Sequence, residues 1–151
     1  MIRQALAADI SNVALLYHAV WHETQAPFMP AEECELRSMP FFVERMTALL
    51  PTTLVAERHG AIVAFAAWKS GLLGQIFVAP AHRGSGVAAT LLIATEIAMA
   101  KEGTLEAELH CVIGNDRARR FYEIAEKVAG THGPVDVPFW CMTKVLSVTG
   151  V

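Results

Sequence analysis

Apolar residues recur along this chain with two different periods, and the switches between them divide it into elements. Ile2 to Leu6 reads as a short first strand. Ile10, Val13, Ala14, Tyr17 and Val20 or Trp21 then fall at helical spacing. Asp9 or Ser11 is available to cap the start, which predicts a helix ending near Glu23. Pro27, Pro30 and Pro40 bracket a loop and a short acidic stretch, and Phe41 to Leu50 returns to helical periodicity before Pro51. This part of the chain has the character of a lid. Thr53 to Glu57 and Ala61 to Lys69, separated by His59 and Gly60, predict a hairpin leading to a central strand from Gly74 to Ala79.

Val87 to Ala100 is apolar almost all round, interrupted by Thr90, Thr95 and Glu96. It predicts a helix laid against a sheet and closed near Gly103. Leu105, Ala107, Leu109, Cys111 and Ile113 alternate with Glu106, Glu108 and His110, the pattern of a strand with one more polar face. Asn115 is placed to cap a further helix in which Ala118, Phe121, Tyr122 and Ala125 form one apolar stripe, and that helix is expected to run on toward Gly130. Val135 to Val137 and Phe139 to Leu146, around Pro138, predict closing strands, with frayed residues after them.

Composition adds limits rather than a function. At 151 residues the chain is near the usual length of one domain, and 1–151 reads as a single domain without repeats or low-complexity linkers. Hydrophobic residues make up 54%, yet uncharged runs such as Gly84 to Thr95 fall short of the roughly 18 apolar residues of a membrane span, so no membrane partner is expected. Arg3 and Asp9 interrupt the N-terminus before any apolar signal region. Cys34, Cys111 and Cys141 cannot all pair within a chain, which suits the reducing cytoplasm. A formal charge of −3 argues against a nucleic-acid partner. A homodimer is allowed by these properties.

Candidate chemistry concentrates between Gln75 and Ala89, Q-I-F-V-A-P-A-H-R-G-S-G-V-A-A. A β-branched and aromatic strand breaks at Pro80, turns through Gly84 and Gly86 and enters an apolar helix. Glycines let the backbone approach a ligand, and the first N–H groups of a helix have no intrahelical partner, so this turn favours an anion, best a pyrophosphate. A P-loop would place Lys and then Ser or Thr after the last Gly, whereas Val87, Ala88 and Ala89 follow Gly86. Gly84 to Ala89 does fit G-x-G-x-x-A, but a dinucleotide fingerprint follows its strand directly, and here Pro80 to Arg83 intervene. The nearest downstream acids, Glu102, Glu106 and Glu108, come before or early in the next predicted strand, and too little chain remains for such a fold.

R-G-S-G-V-A, Arg83 to Ala88, resembles the Q/R-x-x-G-x-G/A loop with which the GCN5-related N-acetyltransferase (GNAT) family binds coenzyme A pyrophosphate. Downstream, N-D-R-A-R-R-F-Y-E resembles the segment in which an Asn, here Asn115, precedes by seven positions a Tyr, here Tyr122, beside the coenzyme sulfur. The order of strand, loop, long helix, strand, Asn and short helix agrees as well. The resemblance is specific from about residue 72 to 123. The chain departs from it after Tyr122, where Glu126 and Lys127 stand in place of a common Gly and aromatic, and at Gln75, on the strand where several members carry a catalytic carboxylate.

The resemblance implies an α/β (α+β) fold, a mixed, mostly antiparallel central sheet flanked by helices. It implies an N-acetyltransferase that moves acetyl from acetyl-CoA, as cosubstrate and without a metal, to a primary amine of a small molecule or peptide in a ternary complex. Two neighbouring parallel strands ending near Val78 and Ile113 would splay to admit the pantetheine arm, and a backbone N–H near Val78 would polarise the thioester. Ile76, Phe77, Val78, Arg83, Gly84, Ser85, Gly86, Val87, Ala88, Ala89, Asn115 and Tyr122 would hold the coenzyme, and Tyr122 would protonate the leaving thiolate. Gln75 cannot act as a base, which leaves Glu23, Glu57, Glu108, His110 or a water. A coenzyme A binding or regulatory module that has lost catalysis is the alternative. The acceptor would lie between Trp21 to Pro40 and Thr131 to Trp140. Glu23, Glu32, Glu33 and Glu35 there predict a preference for a cationic or polar amine. Arg117, Arg119 and Arg120 read most simply as a solvated helix face, and His18 with His22 lacks a third ligand for zinc.

Overall fold

The computed structural model describes residues 1–112, 126–132 and 137–146. Seven strands form one sheet in the order β1-β2-β3-β4-β5-β7-β6: β1 (Ile2–Gln4), β2 (Thr53–Arg58), β3 (Ala61–Lys69), β4 (Leu72–Val78), β5 (Glu106–Val112), β6 (Glu126–His132) and β7 (Val137–Val145). Every neighbouring pair is antiparallel except β4 and β5. The mixed, mostly antiparallel sheet expected from the sequence is therefore what the chain forms.

Helices cover both faces of this sheet. On one, α1 (Ile10–Thr24) and α3 (Met39–Leu49), joined through the short α2 (Ala31–Leu36), bury Val13, Tyr17, Trp21, Phe42 and Met46 against Phe65 and Phe77 of β3 and β4. The helical spacing read along α1 is the stripe that is buried, because residues three and four apart share a face. On the other face α4 (Val87–Lys101) packs Val87, Leu91 and Met99 against Ala64, Ala66 and Leu73. Its C-terminal end is tied to the sheet by Trp68, whose Nε1–H donates to Glu102 Oε2 at 2.6 Å. None of the helices among the described residues is long and apolar enough to cross a membrane.

At the β1 edge Arg3 bridges two carboxylates, donating to Asp9 from Nη1 at 2.8 Å and to Glu57 from Nη2 at 2.9 Å. The Leu6 N–H also donates to Asp9 Oδ2 at 2.7 Å. Hydrogen bonding from Arg3 outweighs desolvation and holds the Asp9 carboxyl below its ordinary pKa. A depressed folded pKa contributes stability that is present above the unfolded value near ~3.9 and lost as pH falls through the folded one. Asp9→Asn is expected to flatten the acid limb of a stability-against-pH curve measured by urea titration; an unchanged limb would assign acid unfolding elsewhere.

Two sequence expectations fail at the C-terminal side. Glu126 to Gly130 belong to β6, not to a continuing helix, because Val128 to His132 find pairing partners in β7, from Val128 opposite Cys141 to His132 opposite Val137. Local helix preference in E-K-V-A yields to that long-range ladder. Pro138 lies inside β7 rather than between two strands. Among the described residues the β5 partners of β7 end at Phe139, and Pro138 stands opposite Thr131 of β6. Leu105, expected in β5, precedes it and is exposed. Ile113 and the predicted helix from Asn115, with Tyr122, Arg117, Arg119 and Arg120, lie outside the described residues, as do 133–136, with Val135 among them.

Candidate active site

The parallel contact between β4 and β5 is brief. Leu72 stands opposite Glu108 and Leu73 opposite Leu109, and there the pairing stops. At that point β4 bulges: Trp68 of β3 faces Leu73 while the preceding Ala67 faces Gln75, leaving Gly74 as the extra residue. Beyond the bulge β4 stays paired to β3 through Gln75 to Val78, and β5 stays paired to β7 through His110 to Val112. The sheet is thus held on its two outer sides and open in the middle. Peptide N–H and C=O groups on the two inner edges face a gap, and such groups call for partners.

The anion turn closes the same end of β4. The Ala79 N–H donates to Val63 O at 2.8 Å, keeping the strand end on β3. Pro80–His82 make a single 3-10 turn, and Ser85 Oγ donates to His82 O at 2.6 Å. Gly84 and Gly86 have φ of 77° and 86°, the left-handed region that a Cβ disfavours, and α4 starts at Val87. Among the described residues, the Thr90 N–H is the first in this run to find a backbone acceptor, Gly86 O at 3.1 Å. The N–H groups of Val87, Ala88 and Ala89 accordingly point out of the helix start, with its dipole behind them. Among the described residues no atom beyond the chain neighbours lies within 4 Å of a Cβ built on Gly84 or Gly86, so they leave the space before the turn open.

Several residues singled out in the sequence converge here. Ile76 and Val78 face the α4 side of the sheet, Phe77 the α1 side, and Gly84 to Ala89 form the turn and the helix start. Ser85 uses its hydroxyl proton to close the turn, leaving its N–H and oxygen lone pairs for a ligand. Arg83 is engaged in a fork with Glu23 at the end of α1, at 2.9 and 2.6 Å over a sequence separation of 60. This bidentate pair ties the anion turn to the helix that leads into the lid, a connection no local sequence pattern signals.

The remaining candidates divide. Glu57 is held by Arg3 at the far edge of the sheet and does not approach the gap. Glu108 stands on β5 opposite Leu72, at the closed end of the gap, and His110 is the first β5 residue past the last paired position. Glu33 pairs with Arg37 at 3.0 Å, so with Glu23 on Arg83 two of the four acids expected to face a cationic acceptor are matched by arginines. Glu32 and Glu35 are exposed. His18 and His22 have ring centroids 4.4 Å apart, and His22 Nε2–H donates to Arg37 O at 2.7 Å. Desolvation, and then the neighbouring His22, lower the His18 pKa. No group of three or more metal-binding side chains occurs among the described residues.

Sequence reasoning passed over Tyr17 as a core aromatic. It is 3% exposed and wedged among Phe42, Phe65 and Phe77, but its hydroxyl is met by the side chains of Arg45 from α3 and Gln75 from β4. Burial drives this hydroxyl's pKa up, so it stays protonated, while Arg45 and Gln75 oppose the shift. A Tyr in an apolar helical stripe with an Arg 28 positions later carries no visible signal of such contact.

Solved structures of the same architecture include a GCN5-related N-acetyltransferase from Rhodopseudomonas palustris, 23% identical with a TM-score of 0.74, over 97% of this chain and 95% of that one. The paiA N-acetyltransferase from Thermoplasma acidophilum, in complex with coenzyme A, is 20% identical with a TM-score of 0.70, over 93% and 96%. The protein yncA from Salmonella typhimurium, solved with its cofactor acetyl-CoA, is 19% identical with a TM-score of 0.69, over 97% and 94%. At such identities the likeness establishes the fold. No curated protein matches the sequence. Residues 16–125, which include the C-terminal part of α1, the split strands, the glycine turn and α4, match the sequence model of the acetyltransferase (GNAT) family, and the chain belongs to that family.

Proposed function

We propose that this chain transfers the acetyl group of acetyl-CoA to a primary amine of a small molecule or peptide, by direct attack in a ternary complex. The observation that carries the reading is the gap between β4 and β5 opening beside the anion turn. A pyrophosphate at the N–H groups before α4 would send a pantetheine arm along the inner strand edges, whose unpaired peptide groups suit its amides. That two proteins of this fold were solved with coenzyme A or acetyl-CoA agrees with the assignment.

The cosubstrate supplies a thioester as acyl donor. The amine nitrogen attacks the thioester carbonyl carbon, the C–N bond forms and the C–S bond breaks. A backbone N–H on the free edge of β4 near Val78 would bind the oxygen on which charge grows, an effect on the order of 3 kcal/mol. An amine with a pKa near ~10 must first lose a proton. Gln75 holds the position on β4 but cannot take it, so a water or an acid such as Glu108 serves. Tyr122, outside the described residues, is assigned the proton returned to the thiolate, together with Asn115 as a coenzyme contact.

Gln75 favours a second reading, a coenzyme-binding module without turnover. Release of free thiol from acetyl-CoA in the presence of a panel of amines, with amine-free hydrolysis subtracted, decides between them. Amine-dependent release is the expected result; coenzyme binding without release from any amine would establish the module. Tyr122→Phe should retain coenzyme affinity and slow turnover by about 10²-fold. A wild-type rate under chemistry-limited conditions would leave Tyr122 a packing residue.

A further inference from the structure

A cationic and aromatic cluster lies among α1, the end of α2 and α3. Arg37 lies over Phe41 at 4.4 Å and over Trp21 at 5.5 Å, and Arg45 lies over Phe41 at 5.2 Å, so one ring is shared by two guanidinium groups. Arg37 is matched by Glu33. Among the described residues no carboxylate pairs with Arg45, which is exposed and meets instead the neutral hydroxyl of buried Tyr17. A guanidinium has five N–H donors in a planar fork. One hydroxyl oxygen and one ring face leave most of them for a ligand, and among the described residues no carboxylate neutralises the charge.

The position of that charge gives it meaning. Tyr17 is common to Arg45 and Gln75, both of which act on its hydroxyl, so the polar ends of those two side chains converge on the same buried group. Gln75 is the first β4 residue after the Gly74 bulge, at the point where β4 has left β5. An anion on Arg45 therefore lies toward Gln75, where the opening between β4 and β5 begins. Phe41 backs the guanidinium and limits its rotamers, and Tyr17 is locked by three aromatic neighbours, so the subsite is ordered before a ligand arrives.

We propose that Arg45, backed by Phe41 and set beside the Tyr17 and Gln75 pair, binds a carboxylate carried by the acceptor. The acceptor class is thereby an amino acid or similar small molecule with a primary amine and a carboxylate within a few bonds. This rests on the acetyl-transfer reading. It also narrows the preference for a cationic or polar amine expected from the acidic stretch, in which Glu33 and Glu23 are matched by arginines.

Acetyl transfer is to be compared for pairs of amines differing only in a carboxylate, such as β-alanine and propylamine, in the wild type, Arg45→Met and Arg45→Lys. A charge-assisted bidentate contact should give the carboxylate member a KM about ten- to hundred-fold lower, a preference abolished in Arg45→Met and partly kept in Arg45→Lys, with kcat little changed. Transfer to both members without such a preference, or a preference untouched by Arg45→Met, overturns the subsite and leaves acetyl transfer standing. If no amine is acetylated, calorimetry of N-acetyl-β-alanine on the coenzyme A complex separates the two ideas. Binding that depends on Arg45 upholds the carboxylate subsite without turnover, and absence of binding overturns it.

Discussion

Gly86→Val is expected to lower the affinity for acetyl-CoA by about a thousand-fold while the protein stays folded. Gly86 sits at φ 86° immediately before α4, and a β-branched side chain strongly disfavours that region. The added side chain meets no atom of the chain within 4 Å of its Cβ, so the loss comes from backbone strain and from methyl groups standing where a pyrophosphate must approach. If the turn relaxes, the N–H groups at the start of α4 rotate away from the anion. Two lost charge-assisted hydrogen bonds, at roughly 2 kcal/mol each, give the factor stated. Titration calorimetry measures it, with a thermal melt as the check on folding. Unchanged affinity in a folded variant would remove this turn from the coenzyme site.

The largest effect on stability is expected from Phe42→Ala, about 3–5 kcal/mol by denaturant titration. Phe42 is fully buried between α1 and the sheet, with its ring centroid 4.4 Å from Tyr17, 5.2 Å from Phe41 and 5.6 Å from His18. Truncation opens a void that the surrounding rings of α1 and α3 cannot close by small shifts. Against a typical total of about 5–15 kcal/mol, the variant approaches the limit of folding at 37 °C. Leu15, on the outer face of α1 and 59% exposed, is the comparison: Leu15→Ala should change stability by less than about 0.5 kcal/mol. Equal effects at the two positions would show that the α1 and α3 packing is not what holds this face.

The same packing explains why some elements were readable from the chain and others were not. Ala61 to Lys69 and Val87 to Ala100 carry strong local patterns, and the strand and helix occupy those positions within a residue. The anion turn was equally legible, because a left-handed backbone selects glycine and the selection is written in the sequence at 84 and 86. The stretch at 126–132 was not. Its residues favour a helix as well as a strand, and the partner that decides, β7, lies later in the chain.

What the sequence alone determined was the family, the left-handed glycine turn and the helix behind it, since the turn and helix depend on local backbone preference and period and the family on a motif written in consecutive residues. The tertiary structure alone decided where β4 leaves β5. That parting depends on register, through the bulge at Gly74 and the outer partners that each strand keeps. It also decided the company of charged and polar side chains: Glu23 with Arg83, Glu33 with Arg37, and Arg45 with the hydroxyl of Tyr17 beside Gln75. In the sequence four acids near Trp21 predicted a cationic or polar amine as acceptor. Charge becomes specificity only after internal pairing is subtracted, and pairing between residues as far apart as 23 and 83 is a property of the fold.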